Sequence, residues 1–487
     1  MKKIFLLLTI MALVTGLYSY SILEMETGNV IRNVDPHSAA MGSAIGVGGL
    51  RLLDSMTNPA NLTNLKNGFG FQTTGSFLTD SDNRSLPMYN SFDAYSGDAV
   101  YVSNVNIFAD FAGGMYYKRA ISDFDLAASL QYRPQVSFIA DYFEQVRNNR
   151  NSDDNEYPFK IAQNTIESTG GINAIAFQTA FKYKNIASIG LEVAQLTGDS
   201  EMEKSVIWTL EAQETINDTV LYNYVNTLKR EFSAIQFKIG ANVNISQRFD
   251  LGFSFTPKVE LEVTGNTSQY FLEAPKIEPD STDNINWVDV EDAVFVYTNF
   301  DSTGTPLDSL TYDQYILPMN ARMGFSYKPR NIMSTIMNCN IEFVKWSDTN
   351  PLYDDAINYY IGVEHILKNK IPFRFGFNYT TTYGLFNDTG ITFAREITTP
   401  TFSAGTGFTI LDKFTFDISL EYSNRQYEAL DLFGDSYYWD ENHAYDDLWE
   451  NSYWIHDGGG IQDRGWENPD TVNETFINLK SAISFTW

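Results

Sequence analysis

Cysteine is almost absent: Cys339 is the single one in 487 residues. An intramolecular disulfide is therefore impossible, and a Cys-x-x-Cys redox pair or a cysteine-rich metal site is excluded with it. Flanked by Asn338 and Asn340, Cys339 reads as a packing residue. Basic residues are scarce as well, with 33 Lys and Arg against 61 Asp and Glu and a net charge of −28. Nucleic-acid binding rests on cations that neutralise phosphates, so nucleic acid is not an expected partner. Long apolar runs are missing: beyond the first twenty residues nothing approaches the roughly 18 apolar residues of a membrane-spanning helix. The histidines are His37, His365, His443 and His456, and no His-Glu-x-x-His or Gly-x-Ser-x-Gly pattern accompanies them. No catalytic residue, cofactor or metal is expected.

What the chain does have begins at its N-terminus. Met1, Lys2 and Lys3 precede an apolar stretch from Ile4 to Val14, then smaller residues through Gly16, Ser19 and Ser21. This is the pattern of a cleaved export signal over residues 1–20, too short to span a membrane comfortably. Downstream, aromatic residues make up 15% of the chain and charged residues 19%, below the roughly 25% of ordinary soluble proteins.

The dominant pattern is alternation with a period of two, which sends successive side chains to opposite faces of a strand. At the C-terminus Ile477, Leu479, Ile483 and Phe485 alternate with Asn478, Lys480, Ala482 and Ser484. The same rhythm runs through Ile235 to Ile245, Leu251 to Phe255 and Phe414 to Tyr422. Alternation alone fits either a soluble sandwich or a membrane barrel. Connection lengths separate them. Fourteen segments are predicted, near 68–78, 98–119, 124–134, 172–184, 186–196, 232–245 and 249–264, then 318–328, 333–344, 357–366, 371–380, 400–410, 414–424 and 474–487. Short and long connections between them alternate strictly, as tight periplasmic turns and long outer loops do in a barrel. The predicted fold is therefore all-β: a 14-stranded antiparallel transmembrane β-barrel over 67–487, preceded by a segment, residues 21–66, without a strand pattern.

Within residues 21–66 the stretch Ala39 to Gly49 is rich in small residues and is followed by Asn58, Pro59 and Ala60. Together with the strand phrases Arg248–Pro257, Leu317–Pro329, Phe343–Asp348 and Phe373–Tyr379, this resembles the long-chain fatty-acid outer-membrane transporter family, the FadL-like proteins. Asn61 stands where that family more often has Gly, and related PorV-like barrels of type IX secretion share the motif. The resemblance implies a short N-terminal hatch (plug) over residues 21–66, a Gram-negative outer-membrane location and transport of hydrophobic compounds such as long-chain fatty acids. In that family ligand is captured outside, the hatch rearranges and ligand leaves sideways through the wall. Expected partners are outer-membrane lipid, a hydrophobic small-molecule ligand and the outer-membrane assembly machinery. The alternative implied by the second group is a non-transporting barrel serving type IX secretion or surface attachment.

Three groups of residues are expected to act as sites. Asn58, Pro59 and Ala60 form the hatch motif, or else a plain turn before the first strand. Gly113 and Gly114 are candidates for a wall kink, since Gly inside a strand marks a bulge or relieves crowding. Phe485 and Trp487 are the C-terminal assembly signal, by likeness to terminal strands of outer-membrane barrels. The outer loops, 265–317 and 425–474, are strongly acidic and aromatic; they read as a solvated surface or as a cap over an apolar mouth, without the spacing of an EF-hand for Ca²⁺.

Overall fold

The computed structural model describes residues 21–89, 92, 94–147, 160–209, 222–273, 276–277, 285–286, 294–300, 314–331, 334–367, 371–388, 391–411, 413–433 and 469–487. The export segment, His443, His456 and most of the acidic loops lie outside them.

One antiparallel sheet crosses the molecule fourteen times. The first seven crossings are β1 (Gly68–Tyr89), β2 (Tyr95–Ile121), β3 (Phe124–Ser137, resuming at Ala140–Arg147), β4 (Lys160–Tyr183), β5 (Ala187–Trp208), β6 (Tyr222–Ser246) and β7 (Phe249–Thr256, resuming at Val259–Glu273). The remainder are β8 (Val294–Phe300 and Gln314–Leu317, resuming at Asn320–Tyr327), β9 (Ile336–Val344), β10 (Ala356–Ile366), β11 (Pro372–Asp388), β12 (Ile391–Ile410), β13 (Phe414–Ala429) and β14 (Asp470–Thr486). The barrel closes where β1 pairs with β14, from Gly70 opposite Thr486 to Ser85 opposite Thr471. Closure removes the free edges that would otherwise recruit other strands.

The period of two assigns the faces. On β6, Ile235, Phe237 and Ile239 are 56%, 50% and 48% exposed on the outside, while Gln236 and Asn242 are buried inside. Apolar side chains point out and polar ones point in, the reverse of a soluble sandwich. Many strands run further than their apolar alternation, always toward the long connections: β1 reaches Tyr89, β4 begins at Lys160 and β12 at Ile391. Backbone pairing persists there after the apolar pattern ends, as in Ile166 opposite Lys204 between β4 and β5.

Residues 21–66 fill the lumen at the short-turn end. They form three short 3₁₀ segments, Ile22–Glu24, Leu53–Met56 and Pro59–Asn64, and one helix, α1 (Pro36–Ala40). Asp35 caps α1 by accepting from the His37 amide at 2.7 Å, with Pro36 at the first helical position. Asn58 caps the Pro59–Asn64 segment in the same way.

The plug sits directly on wall backbone, and paired inward-facing glycines make the room. Gly362 opposes Gly376 across β10 and β11, Gly190 opposes Gly240 across β5 and β6, and Gly252 opposes Gly324 across β7 and β8. A Cβ on Gly376 would lie 1.9 Å from the Gly42 nitrogen, one on Gly362 2.3 Å from the Met41 oxygen, and one on Gly190 2.4 Å from the Ala60 nitrogen. Distances that short fall on backbone, which no rotamer can relieve. Gly376→Val is therefore expected to unseat the plug while leaving the outward face of β11 unchanged. Folded protein should keep its heat-modifiable migration, but limited proteolysis should now cut between residues 35 and 60.

Candidate functional site: hatch, inner chamber and wall break

Six charged groups tie the hatch to the wall in an unbroken sequence. The Asp54 carboxylate meets His37 Nδ1 at 2.9 Å, and His37 Nε2 lies 3.7 Å from Glu364 on β10. Glu364 accepts from Arg374 Nε on β11 at 2.6 Å, Arg374 Nη1 reaches Asp417 on β13 at 2.7 Å, and Asp417 accepts from Arg51 Nε at 2.6 Å. Asp54 closes the loop by accepting from the Leu50 and Arg51 amides at 2.8 and 2.9 Å. Hatch and wall each supply both signs.

Burial opposes a charge on His37, but the Asp54 carboxylate and the hydrogen bonds to Asp54 and Glu364 prevail and hold its pKa up at about 9. Burial, followed by the neighbouring Asp54 carboxylate, raises Asp35 to about 7. With His37 protonated and Asp35 neutral, three cations face three carboxylates and the cluster balances. Asp35, His37 and Asp54 also bring three potential metal donors together. Arg51 and Arg374 are the cations already serving this cluster, so its geometry reads as an ion-pair latch.

Further contacts seat the remaining hatch. Glu24 bonds Thr382 at 2.8 Å and pairs with Arg425 at 3.3 Å, while Arg425 also holds Glu474 at 2.5 Å. The predicted motif takes part. Asn58 donates to the Gly46 carbonyl at 2.7 Å and to Asn242 on β6 at 2.9 Å, and its own oxygen accepts from the Ala60 amide at 3.0 Å. Asn61, the residue departing from the family's pattern, donates to the Ile45 carbonyl at 2.9 Å and accepts from Asn242 at 3.0 Å. The Asn-Pro-Ala-Asn run thus clips the small-residue stretch to the wall.

Beyond the hatch, toward the long connections, the interior is divided. On the β3–β8 side lies an apolar cluster containing Ile22, Phe138, Tyr142, Ile166, Leu196, Phe232, Leu261 and Tyr315. Phe138 stacks on Phe232 at 5.0 Å and meets Tyr315 edge-on at 5.5 Å. The β11–β14 side mixes the polar groups around Glu24, Arg425 and Glu474 with a smaller apolar cluster of Ile397, Tyr427 and Val472. Small cavities of about 170 and 110 Å³ flank the hatch segment Val30–Arg32, the first toward β11–β14 and the second toward β6–β9.

The wall is irregular in β3. Pairing of β2 with β3 runs from Ile121 opposite Phe124 to Gly113 opposite Tyr132 and stops there. On the other side β3 slips by one residue against β4 between Pro134 and Val136. Proline has no amide to donate, so it belongs at an edge or a bulge. Phe138 and Ile139 interrupt the strand, and the Phe138 ring is fully buried inside the barrel. The vacated edge of β3 is taken by the hatch: Asn29 pairs with Ser137, Val30 with Val136, and Ile31 donates to the Gln135 carbonyl at 3.0 Å. Further along, Asn106 donates to the Asp141 carbonyl at 2.8 Å and Asn104 accepts from the Phe143 amide at 3.2 Å, bridging β2 side chains to the β3 backbone.

Gly113 and Gly114 themselves lie in an uninterrupted β2, with Gly113 in its last pair to β3. The β2–β3 pairing thus ends at one of the two glycines expected to mark a wall kink, while the register slip lies across from it in β3, between Pro134 and Val136. The Phe485 ring packs tilted against Phe414 at 4.7 Å, and the Trp487 amide donates to the Phe69 carbonyl at 2.8 Å beside the barrel seam.

No protein-family model matches the chain, and no curated protein matches it. Among solved structures it is similar to a FadL homologue from Pseudomonas aeruginosa, at 10% identity over 94% of this chain and 99% of that one, with a TM-score of 0.54. It is also similar to the toluene transporter TodX of P. putida (11% identity, 95% and 99% covered, TM-score 0.53). The monoaromatic hydrocarbon channel CymD aligns at 12% identity over 93% and 98% of the two chains, with a TM-score of 0.53. The fold is that of the FadL-type barrels.

The latch should be alkali-sensitive. The contribution of His37 is complete below its ordinary pKa near 6.5 and is lost as pH rises through about 9; that of neutral Asp35 is lost earlier, as pH rises from its ordinary value of 3.8 through about 7. Hydrogen-exchange protection of the His37, Leu50 and Arg51 amides, normalised for intrinsic rate, should fall between pH 7 and pH 10. Asp54→Asn should move that transition down by about one unit or more. Arg374→Met, which strands two buried carboxylates, should cost hatch docking about 3–5 kcal/mol.

Proposed function

We propose that this chain is an outer-membrane channel for hydrophobic compounds, in which ligand enters from the outer face, passes along the apolar interior cluster and leaves sideways through the wall when the hatch moves. The observation carrying this reading is the stretch of β3 that gives up its β2 neighbour beside an apolar interior and pairs with hatch residues Asn29 and Val30 instead. A hatch strand used as a wall patch makes hatch position and wall opening one event. Sideways release keeps apolar carbon out of water, worth about 0.8 kcal/mol per methylene. The outward apolar belt supports membrane insertion, and Phe485 and Trp487 at the seam are assigned to recognition by the assembly machinery. The cleaved signal over residues 1–20 completes this outer-membrane reading.

Long-chain fatty acids are the ligand class that the sequence resemblance favours, and the hydrocarbon channels named above make small aromatic compounds the natural comparison. Uptake of a labelled fatty acid and of labelled toluene, in cells with and without the gene, tests transport and ranks the two. Unchanged uptake of both, alongside lost surface display of secreted cargo, would instead establish the secretion-associated role. Val30 and Val136 are direct cross-strand partners. In a Cys339→Ser background, Val30→Cys with Val136→Cys should therefore block uptake when oxidised and restore it on reduction. Equal uptake in both redox states would sink sideways release through this part of the wall.

A further inference from the structure

The outer surface of the wall carries a groove of about 710 Å³ over β2 to β6 near the short-turn end. Strand register explains its shape. One outward row runs Tyr117, Ala128, Thr179, Leu191 and Ile239 across the five strands, so two small side chains lie between large ones. The next row toward the turns runs Arg119, Leu126, Phe181 and Ile189. The large members are outward and exposed, whereas Ala128 and Thr179 leave the floor low.

Arg119 is the charged member of this lining. Its side chain is exposed and makes no ion pair or hydrogen bond among the described residues. An arginine on the lipid face is tolerated near the interface, where its long stem lies along apolar surface and its head reaches polar groups. Its nearest turn carries Asp123, already engaged by Lys184 at 3.6 Å, and Asp125 is held by Lys118 at 3.2 Å. Phe124 packs against Phe181 and Tyr183 at 5.2 Å each, and Lys184 lies 5.2 Å from the Tyr183 ring, marking an aromatic and basic margin at the same depth. An apolar trough that ends at an unpaired guanidinium has the division of a phospholipid: acyl chain along one part, phosphate at the other.

We propose that this groove binds an anionic phospholipid of the periplasmic leaflet, with an acyl chain over Ala128 and Thr179 and the phosphate bonded by Arg119. The assignment rests on the chain lying in the outer membrane with its short turns periplasmic. Guanidinium and phosphate form charge-assisted, two-pronged hydrogen bonds, so this lipid is held more firmly than its neighbours around the barrel.

The test uses the full chain reconstituted in phosphatidylcholine vesicles containing phosphatidylglycerol, extracted in mild detergent, with retained lipid counted by mass spectrometry. Phosphatidylglycerol should be enriched on the unmodified chain, and Arg119→Gln should lower its retention about tenfold. Ala128→Phe, which fills the groove and leaves the charge, should do the same. Arg395→Gln, which removes an exposed cation paired with Glu428 elsewhere on the wall, should not. Heat-modifiable migration confirms that each variant is folded. Equal retention of both lipids, or equal loss in all three variants, would overturn the site. Membrane fractionation of cells reports the location separately: a chain absent from the outer membrane overturns the underlying reading whatever the vesicles show.

Discussion

A strand has only two faces, and in this barrel the lipid-facing side takes most of the large apolar residues. The lumen at the hatch level is left with Glu364, Arg374, Asp417, Glu192, Arg133 and Lys238, side chains that are costly to bury alone. A plug inside such a wall must bring charges and hydrogen-bonding groups of its own. The hatch does so with Asp54, His37 and Arg51 on one side and with the Met56 carbonyl, which accepts from Lys238 at 2.6 Å, on another. Seating the hatch and satisfying the wall are the same process.

Opening such an interface has a different cost from opening a hydrophobic core. Apolar groups separated in water lose their stabilisation outright, whereas carboxylates and guanidinium groups exchange protein partners for water, so much of the loss is recovered. Polar cavities on both sides of Val30–Arg32 offer places where such exchange can begin. Close contact at the glycine pairs sets the opposite limit, because backbone on backbone admits one seating depth. A polar interface with rigid stops would suit the movement that the proposed function asks of the hatch.

Much of this was legible in the sequence. Alternation located all fourteen crossings because each crossing carries a lipid-facing row, and it ended early where strands run beyond that row, as at Tyr89 and Lys160. The glycines at positions 252, 324 and 376 were visible as a recurring aromatic-glycine phrase. Their purpose was not, since it depends on which residue the hatch presses against each one. The Asn58 motif was recognisable, but Asn61 gained its meaning only from Asn242, more than 180 residues away. The latch was invisible for the same reason: its six members come from three places in the chain that only barrel closure brings together.

The break in β3 shows how one residue can shape both wall and interior. Pro134 cannot sustain a ladder on both sides, so β3 keeps β4, with a slip of one residue, and releases β2. Released from β2, the chain turns in far enough for Phe138 to enter the lumen, where it stacks on Phe232 and helps form the apolar cluster. Arg230 then lies 4.8 Å from the Phe138 ring, and its guanidinium donates to the Glu26 carbonyl of the hatch at 2.9 Å. A displacement of Asn29 and Val30 from β3 therefore acts on the same segment that carries Phe138, and through Phe138 on the apolar cluster. On the proposed function, an apolar ligand at this cluster and the hatch strand at the wall would act on the same short stretch of β3, which would couple occupancy to opening without a separate sensor.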